Sequence, residues 1–320
     1  AQSGKTYLIS HLIEKISIKN FEYVDFAMVD EYNIGSFFIK NHFYIVENYH
    51  RITNYTLLLH FINKPILFYC QEPLSKLKEP HYRNTSFNLI SYLKYRYINF
   101  IVYLDKINAI KSDLILTNSK YSIENIYRNY GIYPKLCYLG VDSNLFKEQN
   151  LNRENFILMV GSLNVSKAQD FIIQSVGTMS SKPKVKFIYN FGYGETSFKN
   201  SLEKLAHSLK VEIEFVNMCH DNDLIKEYNK SILTVFASRL EPLGLVPLES
   251  MSCGTPVLGV AEGGIRETIP NGLCGLLVER DSKLFGLAIE NLINNKELWK
   301  QLSSNCNKYI KENWNWENSV

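Results

Sequence analysis

Glu241 and Glu249 are separated by seven residues in the run EPLGLVPLE, and the residues between them read as the turn into a helix. The unpaired backbone N–H groups at such a turn, here those of residues 243–246, favour an anion such as a phosphate. Glu249, about one turn inside the helix, would repel phosphate and so suits a hydroxyl, such as those of a ribose. Glu241, in the loop, is placed to meet a sugar ring. A phosphorylated, polyhydroxylated ligand fits this combination of charges. Two plainer explanations compete: a glutamate near a helix start often only offsets the helix dipole, and Glu-Pro often only makes a turn.

The flanking elements must position those carboxylates. Residues 232–237 (ILTVFA) form a short apolar run suited to a buried strand. Gly244 opens the next segment, Pro247 sits in its first turn where a missing N–H costs little, and Leu245, Leu248 and Met251 recur at helical spacing. Gly254 and Pro256 supply the stop, and residues 256–260 read as a second buried strand. A strand–loop–helix–strand unit predicts a parallel sheet, whose ligands sit beyond the carboxyl ends of its strands.

The same alternation runs through the whole chain. Strand-like runs at residues 23–29, 43–46, 65–70, 115–117 and 135–138 make a first half. Runs at 156–160, 185–189 and 213–216, with helices near 170–179, 198–209 and 221–229, lead into the two-glutamate unit. The polar stretch 147–154 is the natural linker. The expectation is an α/β chain of two Rossmann-like domains facing a cleft, residues 1–148 and 149–320. The opening residues carry a helical pattern, so the first domain is expected to lack its first strand. Residues 86–110 predict a long helix rich in Tyr and Phe with Lys94, Arg96 and Lys106 interspersed. Its aromatics either pack inward on the sheet, the simpler placement, or lie against a membrane surface.

Composition narrows the function. A net charge of +3 over 320 residues does not argue for nucleic acid, which needs a clustered basic face. Six scattered cysteines without a Cys-x-x-Cys pair speak against zinc ribbons and disulfide scaffolds and for buried thiols. The histidines lack metal-ligand spacing, and Asp221-Asn222-Asp223, which imitates a metal-binding DxD, precedes a helical pattern and reads as a helix cap. No secretory signal or membrane-spanning run is seen, so a cytoplasmic location, or the inner membrane surface, is expected.

The block EPLGLVPLESMSCGTPV, followed by EGGIRE, resembles the donor-sugar motif of retaining glycosyltransferases of family four, which have the GT-B fold. FILMVGSLNVSKAQD (residues 156–170) is similar to the segment opening the donor domain, and YCQEP (69–73) to the YCHEP run of mannosyltransferase-like members. ILTNSKYSIENIYRNYG and CYLGVD look like the end of the acceptor domain. The resemblance covers nearly the whole chain; the two-glutamate block is its specific part.

The resemblance implies a metal-independent hexosyltransferase acting without a resident cofactor. A GDP- or UDP-linked mannose or glucose would be the donor, and a glycan or lipid-linked glycan the acceptor. Glu241 and Lys167 are the implied catalytic pair, Lys167 facing the departing diphosphate. At about 4 Å a lysine gains roughly 4 kcal/mol against a phosphate charge at an effective dielectric near 20. The family's arginine beside the first glycine is replaced by Ser162, so Arg239 or Arg266 substitutes for it, the helix dipole carries more, or activity is weak. Gly192, Gly194, Leu243, Gly244, Leu245 and Glu249 complete the implied donor site. Gly4, Gln71 and Glu72 fall on the acceptor side. Gln71 stands where the family has histidine and cannot take a proton. These departures keep an alternative open: a catalytically weak nucleotide-sugar-binding partner or scaffold protein.

Overall fold

The computed structural model describes residues 25–26, 44–47, 66–74, 89–189, 195–217 and 220–319. They fall into two compact units that divide between Tyr138 and Leu139. Gly4, Gly192, Gly194, the helical pattern expected in the opening residues, and any strand before β1 lie outside the described residues.

The first unit carries a parallel sheet whose strands lie in chain order. These are β1 (Asp25–Phe26), β2 (Tyr44–Glu47), β3 (Ile66–Tyr69), β4 (Leu114–Thr117) and β5 (Lys135–Leu136). Helix α1 (Leu89–Lys111) joins β3 to β4, and α2 (Lys120–Tyr130) follows β4. Ser119 caps α2 by accepting from the Ser122 amide at 3.0 Å, and Gly131, at φ 80°, ends it. A small core joins Phe68, Cys70, Ala109, Ile115, Ile126 and Tyr130.

Helix α1 corrects the simpler expectation for its aromatics. Its inward face is Ile101, Val102, Asp105, Asn108 and Ala109, whereas Tyr92, Tyr97, Phe100 and Tyr103 are all more than half exposed. Apolar residues fill about two-thirds of this helix and fall on every side of it, so periodicity could not select a buried side.

The second unit is a six-stranded parallel sheet. In chain order its strands are β6 (Glu154–Val160), β7 (Lys184–Tyr189), β8 (Ile213–Asn217), β9 (Ser231–Phe236), β10 (Val257–Val260) and β11 (Gly275–Val278). They lie side by side as β11-β10-β9-β6-β7-β8. The chain winds outward from β6 through β7 to β8, then returns to the other side of β6 and winds out again. The direction therefore reverses between β6 and β9. That is the switch point at which doubly wound sheets bind ligands. Helices α3 (Gln169–Gly177), α4 (Glu195–Leu209), α5 (Asp221–Lys230), α6 (Leu245–Ser252), α7 (Ile265–Thr268), α8 (Ser282–Asn294) and α9 (Lys296–Asn313) make the crossovers and the close of the unit. Ile157, Leu233, Val235, Leu258, Ile172 and Phe285 are completely buried in one core, each contributing about 1.5–3 kcal/mol by leaving water.

The polar stretch 147–154 is fastened to this second unit. The Gln149 amide donates to Asn229 Oδ1 at 2.6 Å, and Asn229 Nδ2 donates to the Lys147 carbonyl at 3.1 Å. Arg153 donates to the carbonyls of Tyr228, Ser231, Cys253 and Gly254 and to the Thr255 hydroxyl, with its guanidinium 5.5 Å from the Trp299 ring centre. One side chain thus closes the ends of α5 and α6 together.

Candidate functional site

Two loops meet at the switch point. The first follows β6. Asn164 accepts from the Lys167 amide at 3.1 Å and from Ser166 Oγ at 2.6 Å, which winds Val165–Lys167 into one turn of 3₁₀ helix. Ala168 then adopts φ 58°, and the chain enters α3. The second loop follows β9 and carries Arg239, Leu240 and Glu241. The two are tied by the Arg239 amide donating to the Ser166 carbonyl at 2.7 Å. Lys167 Nζ lies 2.7 Å from Glu241 Oε2, and each side chain is about a quarter exposed. Two residues seventy-four positions apart are thereby brought into one ion pair at the carboxyl edge of adjacent strands.

A third loop, after β10, fixes the Glu241 backbone. The Gly264 amide donates to the Glu241 carbonyl at 2.8 Å. A Cβ on Gly264 would fall 1.8 Å from the Pro242 carbonyl oxygen, and one on Gly263 would fall 2.5 Å from that of Glu241. Only glycine permits this approach. Gly244, at φ 87°, then turns the chain into α6, and a Cβ there would meet Ile265 at 2.9 Å. Leu243 is buried, and its carbonyl accepts from Thr268 Oγ1 at 3.3 Å. The helix begins at Leu245 with Gly244 as its N-cap, so the amides of Gly244, Leu245 and Val246 have no intrahelical partner, and Pro247 has no N–H.

Glu249 is the fifth residue of α6 and is nearly buried. Its Oε2 accepts from Tyr228 Oη at 2.8 Å. Burial pushes the Glu249 carboxyl up from the usual carboxylate range, against the lowering effect of that hydrogen bond. Tyr228 itself is pushed up, by burial first and by the Glu249 charge second.

Ser162 is exposed; its hydroxyl accepts from Asn164 Nδ2 at 2.8 Å. Of the two compensating arginines, Arg266 is exposed and donates through Nε to the Gly263 carbonyl. Arg239 is half-buried, and its Nε is buried without a hydrogen-bond partner. Gln169 Oε1, Asp170 Oδ1 and Arg280 Nη1 are also buried and unpaired. All four belong to segments leaving the carboxyl ends of β6, β9 or β11, and each is a polar atom that a ligand or an ordered water could satisfy.

Glu262 and Arg280 complete that edge and were not singled out from the sequence. Arg280 grips Glu262 through two bonds of 2.7 Å and donates to the Ala237 carbonyl at 2.9 Å. Burial alone would raise the Glu262 carboxyl, but the Arg280 guanidinium holds it below the usual range. The glutamate of EGGIRE was the visible signal; its arginine, eighteen residues on, carried none. Tyr228 was equally hidden in the pattern LIKEYN.

In the first unit, Gln71 and Glu72 are half-buried in the loop after β3. Ser122 Oγ donates to the Gln71 carbonyl at 2.8 Å. The Leu74 amide donates to Asp105 Oδ2 at 3.1 Å, and Tyr130 Oη bonds the same oxygen. Burial pushes the Asp105 carboxyl up despite those bonds. Asp221 and Asp223 do not cap α5. They lie in its first turn behind His220, with Asp223 paired to Lys226 at 3.0 Å, and offset the helix dipole. Among the described residues no three His, Cys, Asp or Glu side chains gather as metal ligands would.

The family model described as "Glycosyl transferases group 1" matches residues 141–312, more than half of the chain. The chain belongs to this family. The N-acetylgalactosamine-N,N'-diacetylbacillosaminyl-diphospho-undecaprenol 4-alpha-N-acetylgalactosaminyltransferase of Campylobacter jejuni is 30% identical over 181 residues, 54% of this chain and 48% of that protein. The sucrose-phosphate synthase of Thermosynechococcus elongatus shares its fold with a TM-score of 0.72 at 18% identity, over 86% of this chain and 70% of that one. HepE of Anabaena, in complex with UDP-glucose, does so with a TM-score of 0.69 at 18% identity, over 82% and 71%. The chain spans about half to three-fifths of the length of the curated relatives it matches. The group 1 match covers the two glutamates, Lys167 and the paired glycines, and the wound parallel sheets are those of the GT-B neighbours.

Proposed function

We propose that this group 1 glycosyltransferase moves a hexosyl group, of mannose or glucose type, from a nucleotide sugar to a glycan or lipid-linked glycan with retention of configuration. The observation that carries the reading is the Lys167–Glu241 pair at the switch point. Departure of a nucleoside diphosphate places charge on phosphate oxygens, and a fixed cation beside them lowers the barrier. Lys167 takes that role, the Leu245 and Val246 amides add the dipole of α6, and Arg239 stands in for the arginine that Ser162 replaces. The diphosphate is thus held by this chain's own cations and amides rather than by a metal ion.

When the diphosphate draws Lys167 away, Glu241 is released toward the sugar hydroxyls and the developing positive charge on the ring. Glu249 receives the ribose hydroxyls, with Tyr228 fixing its orientation. On the acceptor side Gln71 can orient a hydroxyl without taking its proton, so the leaving phosphate is the base nearest to hand. The UDP-glucose bound by HepE and the polyprenyl diphosphate named for the Campylobacter enzyme supply the classes to test for donor and acceptor.

Calorimetric titration with UDP- and GDP-hexoses, followed by turnover with the donor that binds, tests the proposal. Binding with release of nucleotide diphosphate supports it. Binding without turnover toward any acceptor supports the second reading, a nucleotide-sugar-binding scaffold, which Ser162 and Gln71 favour. Absence of binding rejects both.

A further inference from the structure

Helix α1 presents a face that the sugar-transfer reading leaves unused. Tyr92, Leu93, Tyr97, Phe100, Tyr103 and Ile110 are between 53% and 60% exposed. In a helix of 3.6 residues per turn, Tyr92, Arg96, Phe100, Tyr103 and Ile110 fall along one side. Arg96 and Lys106 are exposed among them. The helix holds a single acidic residue, Asp105, and it is buried on the opposite side. The outward face therefore combines aromatic rings with positive charge alone.

We propose that this face of α1 docks the protein on an anionic lipid bilayer. Tyrosine rings, apolar in body and polar at the tip, settle at the level of lipid headgroups. Arg96 and Lys106 reach the phosphates while their stems lie along the apolar boundary. A protein partner of opposite charge would meet the same cations, but a row of rings flanked only by bases suits the chemistry of a headgroup layer. The inward side of the same helix gives the docking a purpose. Asp105 bonds the Leu74 amide, and Tyr130 bonds Asp105, so α1 grips the end of the loop that carries Gln71 and Glu72. A bilayer under the outer face holds that loop at a set height above the lipid. The docking stands on the helix alone; only this purpose rests on the proposed function.

Flotation of the full chain with vesicles tests it. The protein should rise with phosphatidylcholine–phosphatidylglycerol vesicles, stay behind with phosphatidylcholine alone, and be released by salt. Arg96→Glu with Lys106→Glu should weaken the association about thirtyfold, from two lost basic contacts. Tyr92→Ser with Phe100→Ser and Tyr103→Ser should remove it. Both variants should keep the wild-type nucleotide-sugar titration, which shows that they fold and separates this test from that of the donor site. No flotation by the wild type, or flotation unaffected by either variant, overturns the proposal. So does a wild-type dimer, seen by sedimentation without vesicles and abolished by the aromatic variant, since the face would then meet a second copy of the chain.

Discussion

Lys167 Nζ and Glu241 Oε2 form a 2.7 Å ion pair that joins the loops after β6 and β9. The two groups neutralise each other until a ligand separates them. Under the proposed function, a diphosphate would out-compete Glu241 for the lysine, and a sugar ring would gain the carboxylate that is given up.

Glu241→Ala should lower turnover at least about a hundredfold, near 2.7 kcal/mol of transition-state stabilisation, with a smaller change in donor affinity. Lys167→Ala should weaken both. Because the two side chains touch, the double variant should lose less than the two single losses combined. Steady-state kinetics on the three variants checks this; strict additivity would mean that the pair does not act as a unit.

Glu249→Gln should separate stability from function. Burial raises the folded-state pKa of Glu249 above its unfolded value. The folded protein then binds this proton more tightly, so the residue costs stability progressively as pH rises from the ordinary carboxylate range through the raised value. The glutamine variant should melt higher than the wild type at pH 7, and the gap should close as pH falls through that window. Its donor affinity should drop at the same time, because an amide is a poorer acceptor for ribose hydroxyls. Thermal melts across pH, with a titration of the donor, read both; a more stable variant with undiminished affinity would leave Glu249 a structural role only.

Gly264→Ala should displace the loop that carries Glu241. The new methyl group would meet the Pro242 carbonyl at 1.8 Å, backbone against backbone, with no flexible side chain to yield. A loss of about 2–4 kcal/mol is expected, together with donor binding weakened beyond tenfold. Denaturant melts and calorimetry measure the two effects.

Arg153→Ala should destabilise the second unit by about 1–3 kcal/mol, since the Ser231 and Cys253 carbonyls lose a charged donor, while the Tyr228 carbonyl keeps Ser231 Oγ and Thr255 Oγ1 and the Gly254 carbonyl keeps Ser303 Oγ. The folded fraction should retain its kcat, because Arg153 bonds the ends of α5 and α6 and not the Glu241 loop. A drop in kcat at unchanged stability would contradict this assignment.

The donor half was legible where chain-local rules decide it. The run 232–260 announced its strand, turn, helix and strand because Gly244, Pro247, Gly254 and Pro256 punctuate apolar runs of the right lengths, and each element forms within about two residues of its expected bounds. The β6–β8 alternation was readable on the same grounds. Contacts between distant positions were not. Nothing in the spacing told that Tyr228 would bond Glu249, that Arg280 would grip Glu262, or that Arg153 would gather four carbonyls. The outward turn of the α1 aromatics was hidden by composition, because a helix whose apolar residues are spread round every side names no buried side. Asp221 imitated a cap because Asp is common both at caps and in first turns, and only the backbone angles of His220 distinguish them.

The contact between Gly264 and the Pro242–Glu241 backbone also sets an order of assembly. Glu241 cannot take up its position until β10 has paired and the paired glycines have closed over it, and Arg280, which braces the neighbouring Glu262, comes later still in the chain. On the proposed function, a ribosome must therefore have released nearly all of this unit before the donor site is complete. Unfinished polypeptides, though able to pair β6 with β7 and β8, should remain blind to the nucleotide sugar.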